Sequence, residues 1–230
     1  MKKYLAYISA AILLVVGFSG TALSQSKYYG THLCGYKGFK CVKVYRGDTW
    51  AKKFPSKRQR EIVKRLNRTN VALQYRSWIV VPTNLRKINH MDMAPFPDYI
   101  KPSGKRTIVV KLGLHAFGAY NESGYLVHWG PVSGGKGYCE DTGRACRTAT
   151  GVHKIYRKQG VNCISSKFPI ETGGGAPMPY CMHYYGGFAL HGSTLPGYHA
   201  SHGCIRLFND DAKWLNRHFL KVGSKVVVSY

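Results

Sequence analysis

A cysteine, two histidines and an arginine lie close together near the end of this 230-residue chain. Residues 200–207 read ASHGCIRL, so Cys204 follows Gly203 and stands two positions before Arg206, while His191 lies just upstream. A thiol is a weak nucleophile near neutral pH, and a neighbouring imidazole is the usual means of activating it. This combination indicates thiol-based acyl transfer, with Cys204 as the candidate nucleophile.

The elements that must position these side chains are a strand and a tight turn. Residues 186–190 read GGFAL and predict an apolar strand that leads directly into His191, which favours His191 as the base. His202 is the alternative base, but its place inside the turn before the cysteine favours a role in shaping that turn. Gly203 lets the backbone turn sharply, and the N–H groups of Gly203 and Cys204 are expected to point at a developing oxyanion.

The first 24 residues have the pattern of a secretory signal peptide. Two lysines precede an apolar run over residues 5–18, and small residues at 22 and 24 mark a cleavage site. The apolar run is short for a membrane span, so we expect no stable span after cleavage. The predicted location is secreted, in the periplasm or cell envelope.

Seven cysteines follow the predicted leader, an odd number for an oxidising compartment. Six cysteines allow many disulfide pairings, and sequence alone does not choose among them. The simplest scheme pairs neighbours: Cys34 with Cys41, Cys139 with Cys146, and Cys163 with Cys181. Cys204 is then the free thiol by elimination.

The chain is strongly basic, with a formal net charge of +24. Such an excess favours an anionic partner reached by long-range attraction. No nucleic-acid-binding signature accompanies it, so anionic envelope polymers are the better candidates and nucleic acid is not expected. A basic secreted protein without such a partner is the alternative.

The N-terminal part predicts a small α/β unit. Strand signals at residues 42–45 and 78–81 flank a turn at 47–49 and a helical pattern at 58–66. This βααβ order, with GDTW in front and WIVVP behind, resembles a LysM module over about residues 41–82. The resemblance implies binding to peptidoglycan or chitin glycan; a small basic domain that only packs on its neighbour is the alternative.

A proline-rich stretch divides the chain. We predict a LysM-like module at residues 25–90, a linker at 91–105 and a second domain at 106–230. In that domain, short strands separated by glycine-rich turns predict a mainly β fold. A definite helix is expected only at residues 210–220.

The second domain carries a specific resemblance. His191-Gly192, the turn from Ser201 to Cys204, and Arg206 resemble the signature of the YkuD-type L,D-transpeptidase catalytic domain. The likeness covers about residues 106–230 and includes, in order, the segments 107–112, 131–134, 148–152 and 178–180. It implies a β-sandwich-like fold whose cleft holds the cysteine, acts on peptidoglycan stem peptides and uses no cofactor.

The resemblance also implies the reaction. In that family a cysteine attacks the diaminopimelate carbonyl of a tetrapeptide stem, expels D-alanine and passes the acyl group to an amine. Carried over, Cys204 is the nucleophile, His191 the base, and the Gly192 carbonyl orients the imidazole. The residues implied in shaping the site, holding substrate or facing the oxyanion are Ser201, His202, Gly203, Arg206 and Tyr180.

Several alternatives stay open. The acyl acceptor is a second stem, giving a 3→3 cross-link, a lysine of an envelope protein, or water, which would make an L,D-carboxypeptidase. A zinc site from His191, His199, His202 and Cys204 matches no familiar ligand spacing, so no metal is expected. A sortase has a different turn before its cysteine, and an NlpC/P60-type peptidase places its cysteine before its histidine. A non-enzymatic basic envelope-binding or host-contact protein is the remaining possibility.

Overall fold

The computed structural model describes residues 27–230, so the predicted signal peptide at 1–24 lies outside the described residues. The first unit follows the predicted strand, helix, helix, strand order. Its elements are β1 (Phe39–Lys43), α1 (Trp50–Lys53), α2 (Lys57–Leu66) and β2 (Trp78–Pro82). β1 and β2 pair antiparallel and form a two-stranded sheet.

Local signals explain why this unit forms. The side chain of Thr49 accepts a hydrogen bond from the Lys52 N–H and caps the start of α1, as the turn signal at 47–49 predicts. Ser56 caps α2 in the same way. The buried face of α2 contributes Val63 to an apolar cluster, and Ile79 of β2 belongs to that cluster too.

The rest of the chain is mainly β, as predicted. Its strands are β3 (Thr107–Lys111), β4 (Ala116–Tyr120), β5 (Leu126–Ser133), β6 (Gly137–Cys139), β7 (Arg144–Cys146), β8 (Gly151–Lys154), β9 (Arg157–Lys158), β10 (Met182–Tyr185), β11 (Phe188–Gly192), β12 (Ile205–Leu207) and β13 (Lys225–Ser229). The predicted helix at 210–220 is present as α3 (Asn209–Trp214), continued by a π-helical turn over Leu215–Phe219.

Nine of these strands form one curled sheet in the order β8-β13-β3-β4-β5-β12-β11-β10-β9. One apolar cluster draws side chains from both halves of the sheet, such as Val226 of β13 and Met182 of β10, and also from α3. The two halves therefore enclose a common core, with α3 packed into it. This arrangement places β11 and β12 side by side near the middle of one half.

The segment expected to be a linker, residues 91–105, lies along the hairpin of β4 and β5. The Tyr120 hydroxyl donates to the Pro97 carbonyl at 2.9 Å, and the Leu126 N–H donates to the Asp98 carbonyl at 2.8 Å. Just before the segment, the indole N–H of Trp129 donates to the His90 carbonyl at 2.7 Å. The connection between the two units is thus held on the nine-stranded sheet.

Three disulfides brace the fold, and they are the locally paired ones: Cys34–Cys41, Cys139–Cys146 and Cys163–Cys181. The second closes the hairpin of β6 and β7, and the third closes the segment that leads into β10. Among residues 27–230, no helix is long and apolar enough to cross a membrane.

Candidate active site

The site is built on two neighbouring parallel strands. In the register of β11 and β12, His191 lies opposite Arg206 and Leu190 lies opposite Ile205. Side chains alternate along a strand, so register partners project from the same face. Cys204 directly precedes β12, and the charge of Arg206 acts on both His191 and the Cys204 thiol. The sheet therefore gathers an imidazole, a thiol and a guanidinium that are separated along the chain.

The turn before the cysteine is stabilised by Ser201, which is buried. Its hydroxyl donates to the Cys204 carbonyl at 2.5 Å and accepts from the Gly203 N–H at 3.0 Å. Gly203 has a φ of +128°, and a Cβ there would lie 2.6 Å from a ring carbon of Phe188. The turn therefore requires glycine at this position for both its backbone angle and its space.

The Gly203 N–H makes a contact that the sequence does not reveal. In this structure it donates to the Ser201 hydroxyl at 3.0 Å, within the turn. Its role toward a developing oxyanion stays a prediction.

His191 is buried, with 6% of its surface exposed, and its Nδ1 lies 2.9 Å from the Gly192 carbonyl. A carbonyl oxygen only accepts, so Nδ1 carries the proton and Nε2 presents its lone pair. Burial, with a smaller contribution from the charge of Arg206, lowers the pKa of His191 to about 4, against the raising effect of the Gly192 bond. His191 is therefore a neutral imidazole with an available acceptor nitrogen at neutral pH.

Cys204 is the free cysteine of the described residues. Its side chain is partly buried and packs beside the Cys163–Cys181 disulfide and Ala189. Burial raises the pKa of the thiol, although the Ala189 backbone and the charge of Arg206 act in the opposite direction. The S–H faces the Gly187 carbonyl, with the two heavy atoms 3.8 Å apart. The resting group at neutral pH is therefore a thiol.

His202 contacts two disulfide-braced segments. Its Nε2 lies 2.6 Å from Asp141 Oδ2, and its ring stacks on Phe168 with the centroids 4.4 Å apart. Asp141 lies between Cys139 and Cys146, and Phe168 lies between Cys163 and Cys181. Hydrogen bonding by His202 holds the pKa of Asp141 below its usual range. His202 thus joins both braced segments at the edge of the site.

Tyr180 stands apart from the other predicted residues in its contacts. It adopts a left-handed backbone conformation with φ of 60°, and its ring lies 5.3 Å from the guanidinium carbon of Arg217. The residue before it, Pro179, accepts a hydrogen bond from the Gly192 N–H at 2.8 Å. Tyr180 therefore flanks the His191-Gly192 strand end, with its ring against Arg217.

The four residues of the possible zinc set are engaged in different directions. His199 Nδ1 accepts from the Gly134 N–H at 2.9 Å, and its ring stacks on His115 at 4.0 Å. His202 bonds to Asp141, as described above. Within the described part of the chain, the potential ligand atoms that do cluster belong to Cys139, Asp141 and His202, and Cys139 is consumed by its disulfide. These residues do not form the donor set that zinc requires.

Sequence reasoning missed Asp141 and Phe168 as neighbours of the site. One available signal was that each lies inside a predicted local disulfide loop, which limits where it can reach. It also missed Ser133, whose hydroxyl donates to the Tyr198 carbonyl at 2.8 Å and accepts from the Ala200 N–H at 3.0 Å. Ser133 ends β5, the antiparallel neighbour of β12, so it supports the turn from the opposite strand.

Comparison with known proteins gives one family. The family model for YkuD, the L,D-transpeptidase catalytic domain, matches residues 105–228 of the sequence. A structure of an L,D-transpeptidase from Xylanimonas cellulosilytica is 26% identical with a TM-score of 0.52, over 65% of this chain and 71% of that one. A comparison with curated proteins finds no match.

Two mycobacterial structures are more distant. L,D-transpeptidases from Mycobacterium smegmatis and Mycobacterium tuberculosis are 23% and 22% identical, with TM-scores of 0.45 and 0.44. Each comparison covers 55% of this chain and 59% or 58% of the other, so the chain spans less than two thirds of their length. The family match covers more than half of this chain and includes β11, β12 and the turn before Cys204, and so this chain belongs to the YkuD family of L,D-transpeptidase catalytic domains.

Proposed function

We propose that this protein is a peptidoglycan L,D-transpeptidase that uses Cys204 as its nucleophile. The observation that supports the proposal is the register of β11 and β12, which sets His191 beside Arg206, whose charge also acts on the free thiol of Cys204. The neutral imidazole fixed by the Gly192 carbonyl is the group that a thiol nucleophile needs beside it.

The pKa directions determine how acylation begins. The raised pKa of Cys204 and the lowered pKa of His191 leave a neutral thiol and a neutral imidazole in the free enzyme. His191 Nε2 therefore takes the Sγ proton as Sγ attacks the diaminopimelate carbonyl of the stem, instead of starting from a stable thiolate. The carbon–sulfur bond forms, the amide bond breaks, and D-alanine leaves with the proton that His191 returns. The product is a thioester on Cys204.

Deacylation reverses these steps with a new nucleophile. An amine of a second stem gives its proton to His191, attacks the thioester carbonyl and restores the Cys204 thiol, which yields a 3→3 cross-link. The amine of an envelope-protein lysine would react in the same way. Water in the same place would make the enzyme an L,D-carboxypeptidase. The acyl-donor half of the reaction is common to all three.

Arg206 is the proposed holder of a stem carboxylate. Its guanidinium is half-buried and its charge acts on the Cys204 thiol, and guanidinium groups bind carboxylates through paired hydrogen bonds. Ser201 and Gly203 build the turn, and His202 ties the braced segments that form the wall beside it. Tyr180 flanks the strand end that carries His191.

We also propose that the N-terminal unit is a LysM-like module that binds peptidoglycan glycan. A cleft of about 630 Å³ runs beside the loops that follow β1 and precede β2, and Tyr45 and Tyr75 line it with well-exposed rings. A double Tyr45→Ala/Tyr75→Ala variant should lose binding to isolated sacculi, whereas Tyr230→Ala, which removes another exposed ring, should retain it. Equal binding by both variants would contradict the proposal.

Export to the periplasm or cell envelope is proposed from two features. Residues 1–24 have a signal-peptide pattern, and three disulfides fit an oxidising compartment. N-terminal sequencing of the exported protein should begin at Gln25. A mature N-terminus at Met1 would contradict cleavage.

The experiment that tests the enzymatic proposal measures D-alanine release from a tetrapeptide-containing muropeptide. Wild-type protein should release D-alanine, and Cys204→Ala and His191→Gln should not. His218→Gln is the matched control, because its side chain is exposed on the far end of the helical segment. If wild type releases no D-alanine but still binds sacculi, the non-enzymatic binding function replaces this proposal.

A further inference from the structure

The first part of the chain between the candidate base and the candidate nucleophile, residues 193–197, contacts the N-terminal unit. Residues 193–200 connect the end of β11 to the turn before Cys204. Leu195, in the middle of this connection, is fully buried. The Ser193 N–H donates to the Leu207 carbonyl of β12 at 2.9 Å. Other backbone groups of residues 193–197 bond to side chains and backbone from the segment after α2 and from Tyr29.

Asn70 makes the central contacts. Its Oδ1 accepts from the Leu195 N–H at 2.7 Å, and its Nδ2 donates to the Ser193 carbonyl at 3.2 Å. Its own N–H donates to the Leu195 carbonyl at 3.1 Å, to which the Thr69 hydroxyl also donates at 2.9 Å. Ser193 directly follows the Gly192 whose carbonyl orients His191. The Asn70 side chain therefore bonds to the backbone at Ser193, one residue after the Gly192 carbonyl that orients His191.

Two further hydrogen bonds join the N-terminal unit to the connection, at residues 196 and 197. The Tyr29 N–H donates to the Gly197 carbonyl at 2.7 Å, and Arg76 donates to the Pro196 carbonyl at 3.4 Å. A Cβ at Gly197 would overlap the Arg76 guanidinium, so the close approach depends on glycine. From Tyr198 onward the connection bonds to the catalytic sheet instead, through the Ser133 and Gly134 contacts described above.

The N-terminal unit is itself firmly seated on the catalytic domain. Arg65 of α2 forms a buried pair with Asp211 of α3, with nitrogen–oxygen distances of 2.9 and 2.7 Å. Arg68 donates to the Leu114 carbonyl at 3.2 Å, and its guanidinium lies 4.9 Å from the ring of Trp129. The N-terminal groups that bond to residues 193–197 are therefore fixed to the domain that carries β11 and β12.

We propose that Asn70, assisted by Thr69, is a positioning residue that sets the geometry between His191 and Cys204 from outside the catalytic domain. The inference rests on the proposed function, since it gives the N-terminal unit a role in that reaction beyond binding glycan. Without the bonds from Asn70 and Thr69, the end of β11, which carries the Gly192 carbonyl, would shift. A displacement of about 1 Å in a catalytic group costs up to about 100-fold in rate.

The test compares two asparagines of the same unit. Asn70→Ala removes the side-chain bonds to Ser193 and Leu195. Asn67→Ala is the matched control, because the side chain of Asn67 bonds within the unit, to Val63 and to both backbone groups of Val80. Both variants lower stability, but only Asn70→Ala should alter the active site. Thr69→Val, which keeps the side-chain shape, is the milder second variant should Asn70→Ala fail to fold.

The main readout is alkylation of Cys204 by iodoacetamide across about pH 5 to 9, which reports the thiol–imidazole pair without any stem substrate. The other six cysteines are in disulfides and do not compete. Asn70→Ala should lower the neutral-pH rate by about 10- to 100-fold, with a parallel fall in kcat for D-alanine release and an unchanged KM. Asn67→Ala should keep the wild-type alkylation rate below its Tm, and Thr69→Val should show a smaller loss than Asn70→Ala.

Two results would overturn the inference: wild-type alkylation and its pH profile in Asn70→Ala, or an equal loss in Asn67→Ala. The failure of the proposed function is distinguishable from both. In that case the wild type releases no D-alanine, while the alkylation profiles still decide whether Asn70 positions the pair.

Discussion

Replacement of Arg65 by methionine should destabilise the whole molecule, because it leaves a buried carboxylate without its cation. Asp211 is 2% exposed and accepts two hydrogen bonds from Arg65, at 2.9 and 2.7 Å, and a third contact from His128 Nε2 at 2.8 Å. Gly130 lies so close to this carboxylate that a Cβ there would be 2.5 Å from it, so the carboxylate packs directly against the backbone of β5.

The magnitude follows from this burial. Removal of one partner of a buried ion pair costs about 3–5 kcal/mol, since the remaining charge is uncompensated. In a chain of this size, that loss corresponds to a Tm lower by about 6–20 °C. Lys64→Met on the same helix is the matched control, because Lys64 pairs with Glu61 near the surface at 3.5 Å and such pairs contribute about 0–1 kcal/mol.

The pH dependence gives the prediction its sign. Burial raises the pKa of Asp211, but Arg65 and His128 outweigh it, so the folded-state pKa lies below its ordinary value. The pair therefore stabilises the folded state above the unfolded pKa of aspartate, and this contribution is lost as the pH falls through the lower folded value. Without Arg65, burial raises the pKa of Asp211, so the carboxylate protonates more readily and the deficit should shrink from pH 7 toward pH 4.

Thermal and urea unfolding at several pH values would measure the effect. The double variant Arg65→Met/Asp211→Leu, which removes both charges, should be more stable than Arg65→Met alone. A loss below about 1 kcal/mol at pH 7, or a deficit that does not change with pH, would refute the reasoning.

Three further predictions concern the active site. D-alanine release should lose kcat/KM as the pH falls toward about 4, where His191 becomes protonated and can no longer accept a proton; an acid limb above pH 6 would contradict the neutral imidazole. Gly203→Ala should lower the free energy of unfolding by about 1–3 kcal/mol and slow acylation of Cys204 at least about tenfold. Alanine rarely adopts the φ of +128° at this position, and its Cβ would lie 2.6 Å from a ring carbon of Phe188. Wild-type acylation by that variant would show that the turn tolerates a side chain. Asp141→Asn should raise KM for the stem with little change in Tm or kcat, because it weakens the surface contact to His202; an unchanged KM would remove the braced segments from substrate binding.

The features that the sequence predicted well are those with local signals. The cap at Thr49, at the end of the predicted turn at 47–49, acts within one helical turn. The disulfides join cysteines 7, 7 and 18 residues apart, so local pairing was the correct choice. The strand that leads into His191 was also visible, because an apolar run ends there.

The features that it did not predict depend on contacts between distant segments. Asp141 and His202 are 61 residues apart, and Asn70 and Leu195 are 125 apart. Neither pair leaves a pattern along the chain, since each forms only when the curled sheet and the N-terminal unit have packed. The hydrogen bond from the Gly203 N–H to the Ser201 hydroxyl was also not predicted, because it depends on the three-dimensional shape of the turn.

The central claim is that Cys204 becomes acylated by a stem peptide while D-alanine leaves. Intact-mass spectrometry after mixing with a tetrapeptide stem tests it most directly, with peptide mapping to locate the adduct. The account predicts a thioester on Cys204 in the wild-type protein, matched by released D-alanine, and neither in Cys204→Ala. An adduct on another residue, or D-alanine release that survives Cys204→Ala, would contradict it.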